Sequence, residues 1–143
     1  VHSWLHLAAR IPFHFTCVCP GGFEPEASAI KLVEDAGIST VEVTHDPKAG
    51  VVGADVIYTD VWASMGQKEE AQARKKIFSD FQVNSAMMNS TGKDTLFMHC
   101  LPAERDREVT DAVMESKKSI VFDEAENRMH AQNAIMVKIA GKA

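Results

Sequence analysis

A carboxylate and a thiol, each at the end of a short apolar run, are the groups here best placed for chemistry. Asp60 opens the run Asp60-Val61-Trp62-Ala63-Ser64-Met65-Gly66, and Cys100 lies within His99-Cys100-Leu101-Pro102. Each sits where a predicted strand ends and a loop begins. In open α/β sheets, ligands bind at the carboxyl ends of the strands. An acid, a hydroxyl, a thioether and a thiol would therefore converge on one sheet edge. Each residue also has an ordinary explanation. Asp often caps a helix, free Cys is among the most buried residue types, Met fills core gaps, and Gly66 permits a tight turn. Arg128, near the start of the last predicted helix, would by itself form a surface ion pair with Glu124 or Glu126, which is worth little.

The elements that must position these groups follow from periodicity and punctuation. A helix is predicted over 1–10, ending before Pro12, and a buried strand over 13–18, broken by Pro20-Gly21-Gly22. A second helix is predicted over 24–36, with an acidic first turn and Gly37 as its stop. The β-branched run 40–44 reads as a strand. Asp46 caps a short helix that has Pro47 at its first position. A strand is predicted over 54–59, a charged amphipathic helix over 67–81, a strand over 95–99, a short helix over 110–115, a last strand over 119–122 and a closing helix over 126–139. Strands alternating with helices imply parallel βαβ units. The expected fold is α/β: a Rossmann-like, doubly wound parallel sheet of about five strands with flanking helices. The first helix has no strand before it. In the common strand order 3-2-1-4-5-6 the first strand lies near the middle, so the missing strand would be a central one. The chain opens without Met and within a helical pattern, and it reads as a piece of a longer protein.

Composition narrows the function classes. The 143 residues suit one domain with a single core. A hydrophobic fraction of 45% and a charged fraction of 24% are ordinary for a globular protein. Net charge is −5, with no basic run able to track phosphates, so nucleic acid is not an expected partner. No apolar stretch nears the roughly 18 residues of a membrane span. Three cysteines without a Cys-x-x-Cys argue for free thiols in a reducing compartment. Cys17 and Cys19 alternate on a strand and point the same way, into the core or its margin. His2 and His6 share a helix face, but no His-Glu-x-x-His and no third ligand accompany them, so no metal is expected. No Gly-x-Gly-x-x-Gly supports a dinucleotide.

The Asp-x-x-x-Ser-Met-Gly and His-Cys-Leu-Pro runs, with Glu126-Asn127-Arg128-Met129-His130-Ala131-Gln132 and Val1-His2-Ser3-Trp4-Leu5, resemble the ornithine carbamoyltransferases. The resemblance spans essentially the whole chain but only the second half of that enzyme. It implies that residues 1–143 are the ornithine-binding, C-terminal domain, truncated at its N-terminus. The last helix, 126–140, would pack back toward the absent carbamoyl phosphate domain. It implies transfer of the carbamoyl group of carbamoyl phosphate to the side-chain amine of L-ornithine, giving L-citrulline and phosphate, with no cofactor. The wording from Phe13 to Pro25 is most like plant, algal or cyanobacterial members, which implies a soluble intracellular protein of chloroplast stroma or cytoplasm.

The resemblance also assigns roles. Asp60 would hold the ornithine ammonium, whose pKa is near 10.4 like that of Lys, orient it and help its proton leave. Cys100 would lie against the reacting amine and the carbamoyl group, with a positioning or proton-transfer role and no covalent one, because proximity alone supplies much of the acceleration. Ser64 and the backbone at Met65 would meet the α-amino and α-carboxylate ends under a loop that excludes water. Arg128 would face the carbamoyl oxygen, where negative charge grows. The carbonyls of Cys100 and Leu101 would accept from the carbamoyl NH₂. That requires a sharp turn, and a cis Leu101–Pro102 bond is expected there although such bonds are the minority. Alternation turns His99 away from the face of Cys100, toward a supporting position. The family's Ser-Thr-Arg-Thr-Arg phosphate loop, His-Pro-x-Gln motif and Gly-Asp-Gly-Asn-Asn turn are not in this chain. Complete members are typically trimers. A second possibility is a non-catalytic truncated module that binds ligand or assembles with intact subunits. A Rossmann-like oxidoreductase domain fails for want of a glycine loop.

Overall fold

The computed structural model describes residues 1–63 and 68–141, the side chains of 68–71 excepted. It divides into two compact units, Val1–Val52 and Gly53–Ala143. The first contains α1 (His2–Ala8), β1 (His14–Val18), α2 (Ala27–Ala36), β2 (Thr40–Thr44) and α3 (Pro47–Gly50). The second contains β3 (Val56–Thr59), α4 (Lys68–Phe78), a 3-10 turn (Ser79–Phe81), α5 (Ser85–Ser90), β4 (Leu96–His99), α6 (Asp111–Met114) and α7 (Val121–Ile139). The α/β class with parallel strands and flanking helices is the one the sequence leads to.

In the first unit β1 and β2 pair in parallel, His14 opposite Thr40 and Val18 opposite Thr44. Alternation sorts their residues between two faces. Phe15 and Val41 pack with Phe13 and Ile30 against the buried Leu5, Ala8, Ala29 and Val33 of α1 and α2. The other face carries His14, Thr16, Thr40 and Glu42, and there the His14 ring bonds to both threonine hydroxyls. Helix α2 starts at Ala27 rather than residue 24, because Pro25 disfavours helical geometry at Glu24. It ends at Gly37, whose φ of 65° is the left-handed conformation glycine adopts at little cost. Asp46 caps α3 by accepting from the backbone N–H of Lys48 and Ala49, with Pro47 at the first position, as expected.

In the second unit β3 and β4 pair in parallel, Val56 opposite Leu96 and Thr59 opposite His99. Ile57, Phe97 and His99 are buried, whereas Val56 and Leu96 on the alternate face are exposed. The expected fifth strand at 119–122 is a correction. Among the described residues Ser119 makes one isolated bridge to Phe97, and α7 begins at Val121. Asp123 and Glu124 lie in the first turn, where the N-terminal end of the helix dipole favours negative charge, so the helix starts five residues before its periodicity becomes evident. Helix α5, capped by the Asn84 side chain on Met87 N–H, was not read from the sequence.

Candidate functional site

Register builds the site. Thr59 pairs with His99 at the ends of β3 and β4, so the next residues, Asp60 and Cys100, leave the strands side by side. The Cys100 thiol donates to Asp60 Oδ1 across 3.0 Å. The same oxygen accepts the backbone N–H of Val61 at 2.7 Å, which fixes the carboxylate at the start of its loop. Asp60 is exposed and Cys100 half-buried. Tyr58, two residues before Asp60 and on the same strand face, is a close enough neighbour of the Cys100 thiol to act on it electrostatically. Burial raises the Cys100 thiol above its ordinary 9.0; the Tyr58 hydroxyl lowers it and Asp60 raises it further. Burial, more than the neighbouring thiol, also drives the Tyr58 hydroxyl upward.

Behind this pair lies a buried support that sequence reading only half found. His99 is fully buried on the opposite face, as alternation predicts. Its Nδ1 accepts the backbone N–H of Leu101 at 2.9 Å. A nitrogen that accepts carries no proton, so Nε2 bears it and donates to Glu108 Oε1 at 3.2 Å. Glu108 is fully buried too, and the same oxygen accepts from Glu104 N–H. The chain thus hooks from β4 through the Leu101 turn and back under itself. Arg105 strengthens the return by pairing with Asp111 and Glu115. The Leu101–Pro102 bond is cis, as expected, and Leu101 has a φ of 51°. Glu124 of α7 accepts the His99 backbone N–H at 3.1 Å, and burial raises its carboxyl.

Arg128 stands apart. It is exposed on α7 and makes no hydrogen bond or ion pair among the described residues. Neither acid named as its partner takes it: Glu124 turns to His99, and Glu126 meets His130 at 3.4 Å. Arg128 follows Glu124 by one helical turn, so the two share a side of α7, about 6 Å apart along the axis. Ser64 and Met65, with Gly66, lie outside the described residues. Trp62, two residues after Asp60, has its ring 5.8 Å from that of Phe78, and its carbonyl accepts from Arg74. Cys17 and Cys19 are free and buried, on the core side as read. His2 meets the backbone N–H of Glu26. No described helix is long and apolar enough to cross a membrane. Among the described residues, no group of three or more His, Cys, Asp or Glu is arranged to hold a metal ion.

Residues 1–139 match the family described as aspartate/ornithine carbamoyltransferase, Asp/Orn binding domain. The chloroplastic ornithine carbamoyltransferase of Pisum sativum is 61% identical over 99% of this chain and 38% of its own length. The structure of ornithine carbamoyltransferase from Pyrococcus furiosus superposes with a TM-score of 0.87 at 46% identity, over 95% of this chain and 44% of that one. The anabolic enzyme of Campylobacter jejuni superposes with a TM-score of 0.90 at 27% identity, over 99% and 48%. The chain spans less than half the length of these relatives.

Proposed function

Because the chain belongs to the aspartate/ornithine carbamoyltransferase family, matching its Asp/Orn binding domain, we propose that it forms the ornithine half of an ornithine carbamoyltransferase site. The reaction passes the carbamoyl group of carbamoyl phosphate to the side-chain amine of L-ornithine, giving L-citrulline and phosphate. The observation that carries this reading is the 3.0 Å contact between Cys100 and Asp60 at adjacent strand ends. The attacking amine must approach as an ammonium and leave its proton behind. Asp60 attracts and orients it. Cys100 sits where the amine, the carbamoyl carbon and Asp60 meet, and its protonated thiol suits positioning and proton transfer rather than covalent attack. Leu101, held through its N–H by His99, and Cys100 offer carbonyls to the carbamoyl NH₂. Ser64 and Met65 meet the amino-acid end of ornithine, and Arg128 meets the carbamoyl oxygen.

The carbamoyl phosphate domain, a homotrimeric assembly and a chloroplast or cytoplasmic setting belong to the same proposal, the last supported by the chloroplastic pea relative. The apolar residues Phe122, Met129, Ile135, Met136 and Ile139, exposed along α7, support packing of that helix on the domain upstream. A chimera in which this chain replaces the matching segment of the pea relative tests the function. Carbamoyl transfer, read as phosphate release, is expected with L-ornithine, with citrulline as the product, and none with aspartate, putrescine or N-acetylornithine. A folded chimera without citrulline formation, or one preferring another amine, would overturn the reading.

A further inference from the structure

We propose that Tyr58 is a positioning residue for Cys100, its hydroxyl donating to the sulfur so that the thiol's own proton is held toward Asp60. This rests on the ornithine reading of the strand-end pair and names a third member of it. Tyr58 sits on β3 opposite Met98, and Cys100 follows Met98 by two residues, so the Tyr58 ring and the thiol emerge on one face. The direction of each hydrogen bond follows from what each group can do. An ionised carboxylate only accepts, so the contact between Cys100 Sγ and Asp60 Oδ1 uses the thiol proton. The sulfur then has only lone pairs left for Tyr58, and the phenol must donate. The result is an ordered row, Tyr58 O–H to Cys100 Sγ–H to Asp60 Oδ1.

Two consequences follow. The thiol cannot rotate away from Asp60 without losing a hydrogen bond at each end. The phenol also favours the sulfur when it carries negative charge, which opposes the effects of burial and of Asp60 on the same thiol. Tyr58 thus keeps the Cys100 proton transferable in a setting that otherwise holds it fast. A tyrosine on a strand delivers its donor from a rigid base, which a loop side chain or a water would not.

The test is the pH dependence of Cys100 alkylation by iodoacetamide in the 143-residue chain, followed by mass spectrometry of the peptide that contains Cys100. Tyr58→Phe keeps the ring and removes the donor. Alkylation at pH 8.5 is expected to slow about threefold to tenfold, with the midpoint of the profile moved to higher pH. Replacement of Tyr58 by 3-fluorotyrosine, a stronger donor of nearly the same shape, is expected to move the midpoint the other way and covers the case in which Tyr58→Phe does not fold. An unchanged profile in either folded variant would overturn the proposal. Because the readout is thiol chemistry, it fails independently of citrulline formation by the chimera.

Discussion

Burial pushes the thiol of Cys17 from its ordinary 9.0 up to about 12, and Cys19 beside it adds to the effect. The unfolded thiol ionises first, so between these values the folded state holds more protons and stability falls as pH rises. The contribution is complete below pH 9.0 and lost by about 12. Thermal melts across that window should show an alkaline decline that is smaller in Cys17→Ala; equal slopes would contradict the assignment. The His99–Glu108 pair makes a sharper case. Removing His99 leaves a carboxyl buried without its donor and frees the Leu101 N–H. His99→Leu should cost about 3–5 kcal/mol in urea unfolding, and Glu108→Leu added to it should recover part of the loss. Additive losses would show that the two do not act together. Local patterning exposed Asp60, Cys100 and the inward turn of His99. Glu108 was invisible because its partner lies across a hooked loop, and Tyr58 was invisible because a strand tyrosine looks like ordinary β-propensity.

Among the elements, α3 shows how closely a short helix is fitted to its sheet. A Cβ at Gly50 would lie 2.6 Å from Val18 Cγ2 and 2.7 Å from Thr44 Cγ2. Both neighbours are β-branched and restricted at χ1, so they yield poorly. Gly50→Ala should destabilise the chain by about 1–3 kcal/mol in urea unfolding, and a neutral result would mean that α3 shifts freely. Elements governed by adjacent residues were legible: Asp46-Pro47 starts α3 and Gly37 stops α2. The 119–122 segment was not. Its apolar, β-branched residues suit a strand, but the acidic first turn of a helix begins within it and limits sheet pairing to the single bridge at Ser119.

At the scale of the whole molecule, the proposed reaction is two-sided, and the proposal gives this chain one side of it. The chain places an acid, a thiol and a turn of backbone carbonyls at the ends of β3 and β4, while the relatives extend over more than twice its length. The 143-residue chain alone should form no citrulline from carbamoyl phosphate and ornithine, and turnover by it would show that the other half of the site is dispensable. The central claim is that the Asp60 carboxylate serves ornithine rather than carbamoyl phosphate. The most direct measurement is steady-state carbamoyl transfer by the chimera with Asp60→Asn, paired with equilibrium binding of carbamoyl phosphate. The carboxamide keeps the shape and removes the charge. The expected result is a fall of about a hundredfold or more in kcat/KM for ornithine, with carbamoyl phosphate affinity held within about twofold. Unchanged ornithine kinetics, or an equal loss in carbamoyl phosphate binding, would contradict the account.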